Sequence, residues 1–532
     1  MEILRTKWAA AVAGIWIQSV AGASYTFGIY SPALKATQGY DQSTLDTVSV
    51  FKDIGANAGI LSGLLYSSVT LGSGGGGRAW VVHAVGAAQC FVGYFVMWAS
   101  VVGLVPPLPV PAMCVSIWMA AHAQTFFNTA NVVTGVHNFG DYGGTIVGIM
   151  KGFLGLSGAI LIQFYDAVCK DKPATFLLLL AVAPTLISLL SMPLVRNYDT
   201  TTPADKRHLN SFSAVALATA AYLAAIILLH NVIILPSWAL VASFLVLLLL
   251  LVASPSIIAL RAHRQESDTL ARALLEESGS KAAQSGSTEL LPDDLDNHVE
   301  VNLAQALLRL DFWLLFLAVF CGLGSGVATI NNISQVGESL GYAVVERTTL
   351  VSLWSIWNFL GRFGAGFVSD TLLHRGGWAR PALMAVTLAT MAVGHVVIAS
   401  GLPACLYVGS VLVGVSYGSQ WSLMPTICAE IFGVAHLGTI FNTVAVASPL
   451  GSYVFSVRII GYVYDEVARE KGGGGGGGGD CFGSRCFMAS FLIMAGVAFF
   501  GCLVAILLFF RTRRFYRSVV VRRRRRVQRR SN

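Results

Sequence analysis

Two ionisable side chains lie inside long apolar segments of this sequence, and they indicate what chemistry the chain could perform. Lys151 lies about two helical turns inside the glycine-rich apolar run that begins at Gly144. Asp53 lies near the start of an earlier apolar run, directly after Lys52. A charged group at the centre of a bilayer costs roughly 3 kcal/mol on insertion scales, so such residues face protein or water rather than lipid. A cation and a carboxyl group in these positions could bind an anion and carry a proton.

Each of these residues also has a structural interpretation. Lys52 can extend to the outer interface, and adjacent helical residues diverge by about 100°, so Lys52 and Asp53 should not face one cavity squarely. Asp53 could hold a structural hydrogen bond, and Lys151 could form an ion pair or extend to the cytoplasmic face. We take Lys151 as the candidate anion contact. We take Asp53 as the candidate proton-coupling residue, because a carboxyl group in apolar surroundings retains its proton more readily.

Polar amide and aromatic residues in several apolar runs form a second candidate set. Gln124, Asn128 and Asn131 follow helical spacing and share one face of a predicted helix. Such side chains could bind a solute, although each one singly is more simply explained as a contact between helices. The candidate substrate-binding residues are Lys151, Gln124, Asn128, Asn332, Tyr417, Gln420 and Asn442.

No metal or cofactor site is predicted. His83, His122 and His395 are isolated within apolar runs and lack metal-ligand spacing. Cys481 and Cys486 share one polar segment and could pair if it faces an oxidising space. No ATP-binding cassette, nucleophile elbow or metalloprotease helix is recognisable, so we expect neither an enzyme nor a primary active transporter.

The elements that must position these residues are membrane helices. Hydrophobic residues make up 55% of the chain and charged residues only 12%, which excludes an ordinary soluble globular protein. Many apolar runs reach the length of about 20 residues that a spanning helix needs. We predict an all-α polytopic membrane protein with spans at residues 8–30, 46–70, 79–103, 109–131, 144–165, 174–195, 212–232, 237–260, 311–331, 346–370, 381–400, 403–423, 436–457 and 487–510.

Basic residues cluster between the apolar runs and near the C-terminus, and they predict the orientation. Arg5 and Lys7 precede the first run, Arg78 follows the second, and Arg375 and Arg380 join the tenth and eleventh. Lys and Arg are enriched in cytoplasmic loops and the predicted number of spans is even, so we expect both termini to be cytoplasmic. This placement accounts for the net charge of +8, and no nucleic-acid partner is expected.

Composition also divides the chain. Residues 261–308 are rich in Glu, Asp, Ser and Ala, and we expect a cytoplasmic linker with at most a short helix. The glycine runs 74–77 and 472–479 are low-complexity and predicted to be flexible. The expected segments are an N-terminal six-helix half at 1–196, two extra membrane helices at 197–260, the linker, a C-terminal six-helix half at 309–510 and a basic cytoplasmic tail at 511–532.

The two six-helix blocks repeat a short pattern. Phe139-Gly140, a polar turn and Gly144-Thr145-Ile146 open the fifth helix of the first half. Phe432-Gly433, a polar turn and Gly438-Thr439-Ile440 open the fifth helix of the second half. Repeated halves with a site at their interface are typical of transporters that work by alternating access.

The segment from Gly361 to Asp370, with the sequence GRFGAGFVSD, resembles the signature loop of the major facilitator superfamily. In that superfamily the glycines allow close helix packing, and the acid and following arginines form a cytoplasmic charge latch. The resemblance implies a gating role for Arg362, Asp370, Arg375 and Arg380. The first half departs from the pattern, because Ser67 replaces the acid and a glycine run replaces most of the loop.

Longer motifs narrow the resemblance. The stretches WAAAVAGIWIQSVAGASYTFGIYSPALK, FKDIGANAGILSGLLY and DFWLLFLAVFCGLGSGVATINNISQVGESLGY, together with residues 128–160, resemble the plant nodulin-like family within that superfamily. This group includes proteins similar to a nuclear-fusion-defective protein. The second half is also distantly similar to monocarboxylate and oxalate–formate carriers. The resemblance implies a major facilitator fold with two extra central helices.

We therefore expect proton-coupled symport of a small organic anion, with monocarboxylates as the nearest class by resemblance. The alternatives are a carrier of a neutral or cationic solute, such as an amino acid, sugar or metal chelate, and a non-transporting receptor or scaffold. The expected partners are the solute, protons and the lipid bilayer, and a monomer is assumed. We expect the plasma membrane as the location, with the vacuolar membrane as the alternative.

Overall fold

The computed structural model describes residues 5–71, 78–170, 172–198, 205–233, 235–281, 300–471 and 482–531. Within these ranges the chain consists of helices joined by short turns, and no strand occurs there. The all-α prediction is confirmed. The glycine runs 74–77 and 472–479, which the sequence predicts to be flexible, lie outside the described residues, as does Cys481.

The described part of the first half contains eight helices, because two of its predicted spans are each divided. A 3₁₀ turn at Ala23–Thr26 divides the first span, and residues 58 and 59 interrupt the second. The remaining spans of this half are single helices. The helices are α1 (Lys7–Ala21), α2 (Phe27–Gln38), α3 (Gln42–Asn57), α4 (Ile60–Leu71), α5 (Ala79–Val101), α6 (Val110–Asn138), α7 (Gly143–Phe164) and α8 (Pro173–Ser191).

The second half has a similar layout. Its predicted fifth span is divided into short helices and a π-helical segment at Tyr453–Gly461. The helices are α13 (Leu310–Ser339), α14 (Val344–Gly376), α15 (Arg380–Ala399), α16 (Cys405–Phe432), α17 (Leu437–Ala445), α18 (Ala447–Ser452), α19 (Tyr462–Lys471) and α20 (Arg485–Ser531). Between the halves lie α9 (Asp205–Val232), α10 (Ser237–Leu248), α11 (Ser254–Lys281) and the short α12 (Leu303–Leu307).

Ten of the fourteen predicted spans coincide with helical stretches that are long and apolar enough to cross a membrane by length and composition. The other four correspond to α1 with α2, α6, α14 and α16, which are helical but interrupted or richer in polar residues. The protein is therefore a multi-pass membrane protein.

The two halves meet along a seam where α7 packs on α14 and α4 packs on α17. A Cβ atom at Gly63 would collide with the backbone of Gly438 and Thr439, so this crossing requires glycine. A Cβ atom at Gly366 would likewise collide with the backbone carbonyl of Gly144. The seam is tight at the end of the bundle where α7 and α17 begin and α4 and α14 finish, which we call the basic end because the predicted cytoplasmic Lys and Arg residues lie there.

The extra helix α9 contacts both sides of this seam, because it packs on α7 and on α14. Its first residue, Asp205, accepts a hydrogen bond of 2.7 Å from the Lys7 ammonium of α1, and both side chains are 1% exposed. Glu266 of α11 lies 3.8 Å from the same ammonium, and its carboxylate accepts a 3.2 Å bond from the Trp8 indole. A buried ionic cluster therefore joins the extra helices to the first half.

The linker differs from its predicted form. The expectation of at most a short helix is wrong, because α11 continues as helix to Lys281. The segment contains Ala, Leu, Glu and Arg at high frequency, and these residues have high helix propensity. Contacts of Glu266 with α1 then hold its first part against the bundle. Residues 282–299 of the predicted linker lie outside the described residues.

We predict that Asp205→Asn lowers the thermal midpoint of the purified protein, because it leaves the Lys7 ammonium with weaker compensation in a buried site. Removal of one partner from a buried ion pair typically costs about 3–5 kcal/mol. Thermal unfolding monitored in detergent measures the change. The matched control is Asp311→Asn, which removes the partner of Arg511 in a pair whose side chains are 22% and 43% exposed. Equal midpoints for the two variants would contradict a structural role for the buried pair.

Candidate functional site

Lys151 lies on α7 in the middle of the bundle and is 2% exposed. Its ammonium nitrogen lies 5.1 Å from the centroid of the Trp421 ring and 5.3 Å from that of Phe441. Trp421 and Phe441 belong to the second half, so this lysine of the first half points across the seam. No carboxylate among the described residues lies within ion-pair distance of it.

A second cation reaches the same place from the other half. Arg362 of α14 is 1% exposed, and its guanidinium carbon lies 5.7 Å from the centroid of the Trp421 ring. Its Nε donates to Asn358 Oδ1 at 2.9 Å, and Nη1 donates to the backbone carbonyl of Lys151 at 3.1 Å. Arg362 also forms no ion pair with a carboxylate in the described part of the chain. The two cations and Trp421 form what we call the central cationic site.

Aromatic groups border the central cationic site. The Tyr417 ring lies 6.2 Å from Trp354 and 6.4 Å from Trp421. Arg362, Tyr25 and Asp53 are the charged and phenolic groups close enough to act electrostatically on Tyr417. Tyr25 lies in the 3₁₀ turn that divides the first predicted span, against Gly158 of α7. The helix break thus places a tyrosine of the first predicted span against α7.

Asp370 closes the seam at the basic end. It lies on α14, yet its carboxylate accepts hydrogen bonds from the first backbone N–H groups of α7, at 3.1 Å from Gly144 and 2.5 Å from Thr145. The Thr145 hydroxyl donates to the same carboxylate at 2.6 Å. A carboxylate is favourable at this position because the N-terminus of a helix carries a partial positive charge and unpaired N–H donors.

Arg380 holds Asp370 in place. Its guanidinium donates to Asp370 at 2.7 Å and to Glu430 at 2.7 Å, and it also bonds the Ser369 hydroxyl. Arg380 and Asp370 are each only a few per cent exposed. Glu430, near the end of α16, is a member of this cluster that the sequence analysis missed. We call the group Asp370, Arg380, Glu430 and the start of α7 the latch.

The predicted gating residues fall in three places. Asp370 and Arg380 belong to the latch, where they form an ion pair. Arg375 lies one turn further along α14 and lines a shallow cleft with Lys206 of α9 and His374, beside the latch rather than in it. Arg362 lies in the central cationic site, about two helical turns from Asp370. In the first half, the Ser67 hydroxyl bonds the Ala435 carbonyl at 3.4 Å where the superfamily pattern has an acid.

Two of the three amides predicted on one face of α6 bond within the first half. Gln124 accepts a 2.7 Å bond from the Ser24 hydroxyl, and Asn128 accepts a 3.4 Å bond from the Gln18 amide. Asn131 is buried, with neither polar atom of its side chain bonded. These residues lie on one face of α6, as predicted, and the face packs on α1 and the 3₁₀ turn.

The polar residues of the second half do not converge on one site. Asn442 crosses the seam, where its amide donates to the Thr129 hydroxyl at 2.7 Å. Asn332 bonds Ser456 at 2.8 Å, and Gln420 bonds Thr387 at 2.8 Å, both within the second half. Of the four predicted binding residues in this half, only Tyr417 borders the central cationic site. Sequence position identifies a helix face but not the neighbour that the face meets.

The surroundings of Asp53 differ from the apolar ones that the sequence predicts. Its carboxylate pairs with the Lys52 ammonium at 3.0 Å, and the Asp53 side chain is 58% exposed. The adjacent residues meet through the length of the lysine side chain, which also lies 5.2 Å from the Phe27 ring centroid. The structure therefore does not place Asp53 in apolar surroundings.

Two of the three histidines that the sequence analysis considers contact polar groups elsewhere in the bundle. His122 contacts Gln89 at 2.9 Å and the Ala58 carbonyl at 3.0 Å, and His395 contacts Thr329 at 3.1 Å. Among the residues that the structure describes, no group of three or more His, Cys, Asp or Glu side chains could hold a metal ion. Cys486 is disulfide-bonded, and the predicted pairing involves Cys481, which lies outside the described ranges.

These features define a membrane protein of the major facilitator fold. XylE, a major facilitator superfamily proton:xylose symporter solved with 6-bromo-6-deoxy-D-glucose, has 12% sequence identity, and the superposition covers 97% of this chain and 96% of that one with a TM-score of 0.51. FucP in its outward conformation has 13% identity, coverage of 94% and 99%, and a TM-score of 0.50. At these identities the likeness shows the fold alone.

The sequence matches give the family. Residues 7–260 match the family described as Nodulin-like, and residues 295–518 match the one described as NFD4, C-terminal domain. The chain belongs to the nodulin-like family, as the motifs predict. It is 25% identical to Protein NUCLEAR FUSION DEFECTIVE 4 of Arabidopsis thaliana over 95% of this chain and 89% of that protein. It is 30% identical to Probable transporter MCH1 of Yarrowia lipolytica, over 35% of this chain and 39% of that protein.

We predict that Asp370→Asn loosens the latch, because an amide cannot pair with Arg380 and offers α7 one acceptor oxygen instead of two. A hydrogen bond to a charged group contributes about 1.5–3 kcal/mol, so the amides of Gly144 and Thr145 should exchange with deuterium at least about tenfold faster. Hydrogen exchange read by mass spectrometry on the peptide that begins α7 measures this. Asp311→Asn is again the control, since its pair with Arg511 does not cross the seam. Unchanged exchange at the start of α7 would show that Asp370 does not hold it.

Proposed function

We propose that this protein is a secondary-active transporter that moves a small organic anion across its membrane by alternating access. The observation that carries the proposal is the central cationic site. Lys151 and Arg362 are buried, come from opposite halves and have no carboxylate partner among the described residues. Unpaired buried charges are costly, and those inside membrane segments typically mark the path of a substrate or ion. An anion bound between them would supply the missing charge.

The seam supports the alternating-access part of the proposal. The halves are closed at the basic end by the latch and by the close approach of Gly63 to Gly438. A transporter must break these contacts when it opens to that side, and contacts made by a few polar groups and by small residues can be broken without exposing a large apolar surface. Divided helices near the midplane, such as the break between α3 and α4, are typical of transporter sites.

The charge balance distinguishes an anion from a neutral or cationic solute. A pair between Lys151 and Asp53 would have neutralised the lysine and left Arg362 as the one uncompensated charge. Asp53 pairs with Lys52 instead, so it leaves Lys151 and Arg362 uncompensated. A cationic solute would meet two positive charges of the same sign, and a neutral solute would leave both charges without a partner.

The proposal has four further parts: the class of anion, the proton coupling, the orientation and the membrane. Monocarboxylates follow from the distant similarity of the second half to monocarboxylate carriers, and the relative from Yarrowia lipolytica is described as a probable transporter. Proton symport would use Asp53, the exposed carboxyl group on the divided second span. We propose that the basic end faces the cytoplasm, because Lys and Arg concentrate there, and that the protein resides in the plasma membrane.

We predict that Lys151→Ala lowers uptake of the transported carboxylate by at least about tenfold, since truncation of one buried charged partner typically costs 2 kcal/mol or more. Uptake by proteoliposomes from a panel of labelled carboxylates, amino acids and sugars measures the loss. Lys35→Ala, in the last turn of α2, which is not one of the seam helices, is the control. A folded Lys151→Ala protein with normal carboxylate uptake would remove the anion-binding role of this lysine.

We predict that Asp53→Asn abolishes the pH dependence of carboxylate uptake. An asparagine mimics the protonated acid permanently, so acidification outside the vesicle should no longer accelerate uptake, whereas exchange of internal for external carboxylate should continue. Uptake and exchange measured at two external pH values test both parts. An acid-stimulated uptake equal to that of the parent protein would assign proton coupling to another group.

A further inference from the structure

Helix α20 does not end where its apolar run ends. The apolar run finishes at Phe510, yet the helix continues without a break to Ser531. Residues 511–518 directly follow the apolar run, and we call them the C-terminal arm. At 1.5 Å per residue the arm is about 12 Å long, so it reaches from the edge of the hydrocarbon core through the layer of lipid head groups.

One face of the C-terminal arm is buried against the second half. Tyr516 is 1% exposed and packs on Leu373 in the last turn of α14. Its hydroxyl lies beside the Glu430 carboxylate, within hydrogen-bonding reach. Arg511 also pairs with Asp311 at 2.6 Å, but both side chains are partly exposed, and such pairs contribute little to stability. Tyr516 is therefore the residue that anchors the arm.

This anchor contacts the latch through Glu430. The Arg380 guanidinium donates to Glu430 at 2.7 Å and to Asp370 at 2.7 Å. Asp370 in turn accepts hydrogen bonds from the first amides of α7, in the other half. A chain of polar contacts thus runs from the Tyr516 hydroxyl to the contact across the seam. We expect that hydroxyl to keep Glu430 in the orientation that pairs with Arg380.

The remaining surface of the C-terminal arm is exposed and basic. Arg513, Arg514 and Arg517 are exposed, and none of them forms an ion pair with a carboxylate in the described part of the chain. The Arg513 guanidinium lies 5.5 Å from the ring centroid of Phe510, whose side chain is also exposed. Exposed cations directly after an exposed apolar ring are typical of the boundary between acyl chains and head groups. All three arginines lie within about 10 Å of Phe510 along the helix axis.

We propose that the C-terminal arm binds the anionic head groups of lipids in the leaflet at the basic end, and that this binding stabilises the closed latch. The position of the arm identifies the partner, because α20 leaves the bilayer as a spanning helix and places its first cations at the level of the head groups. Each Lys or Arg close to an anionic leaflet adds to the attraction, which decays within a Debye length of about 8–10 Å. The three exposed arginines lie at about that distance or less.

Lipid binding and latch closure are coupled because Tyr516 and the three arginines belong to one short helical segment. Lipid binding favours the position of the arm in which Tyr516 contacts Glu430, and it therefore favours the conformation that is closed at the basic end. A leaflet rich in anionic lipid would disfavour opening at this end, and a neutral leaflet would not. This regulation does not depend on which solute the protein carries.

The test measures the latch directly and uses no solute. The purified full-length protein is placed in nanodiscs of phosphatidylcholine, with or without phosphatidylserine, and hydrogen exchange is followed by mass spectrometry on the peptides of the C-terminal arm and of the start of α7. We expect exchange in both peptides to be at least about tenfold slower with phosphatidylserine, because several arginines act together. Salt at about 1 M shortens the Debye length to about 3 Å and should remove the difference.

Two variants separate lipid binding from its effect on the latch. In the triple variant Arg513→Gln/Arg514→Gln/Arg517→Gln, exchange of both peptides in the two membranes should agree within about twofold, because the exposed cations of the arm are lost. In Tyr516→Phe the arm should keep its response to phosphatidylserine, whereas the start of α7 should lose most of it. The control removes three exposed arginines near the opposite end of the bundle and should respond as the parent protein does: Arg458→Gln/Arg469→Gln/Arg485→Gln.

The parent protein in the two membranes decides the question even where a variant does not fold. Equal exchange of both peptides with and without phosphatidylserine overturns the proposal. Slower exchange in the arm alone overturns the effect on the latch and leaves the lipid-binding surface. A response of parental size in the triple arginine variant assigns lipid binding to other residues and also overturns the proposal. None of these outcomes depends on whether the transported solute is an anion.

Discussion

The cost of placing charge in a membrane governs how this protein is built. Four buried charged side chains of the described residues form ion pairs at 2.7 Å, Lys7 with Asp205 and Arg380 with Asp370. These pairs lie at one end of the bundle, where the helices emerge toward water. The other buried Lys and Arg side chains of the described residues are the two cations of the central cationic site. Stability would not require such a site, so its retention is best explained by a ligand of opposite charge.

The seam between the halves joins the latch to the central cationic site. Asp370 is on α14 and bonds the first amides of α7, and Arg362 on the same helix bonds the carbonyl of Lys151 on α7. Helices α7 and α14 therefore form both the latch at the basic end and part of the central cationic site. The extra helix α9 packs on both of them and is tied to α1 through the Lys7 cluster.

Hydropathy and charge placement predict the fold of this chain well, because apolar length and basic loops depend on local composition. Lys151 could be found by the same reasoning, and Asp370 and Arg380 by a motif. The positions of the other predicted site residues depend on tertiary contacts. Helical spacing shows that Gln420 and Asn332 are on polar faces, but those faces meet neighbours inside the second half. Arg362 belongs to a motif associated with gating, and only the packing of α14 on α7 shows it beside Lys151. Asp53 pairs with Lys52, the residue before it, a contact that depends on the length of the lysine side chain and that the sequence analysis did not predict.

The most direct test of the central claim uses Trp421 as a probe, since both cations lie within 6 Å of its ring centroid. Tryptophan fluorescence of the parent protein and of Trp421→Phe is recorded during titration with a carboxylate, and the difference between the two isolates the emission of this indole. An anion bound between Lys151 and Arg362 predicts a saturable change in that difference signal, with no such change on addition of a neutral sugar. A carboxylate response of equal size in Trp421→Phe, or a response to the sugar alone, would contradict the account.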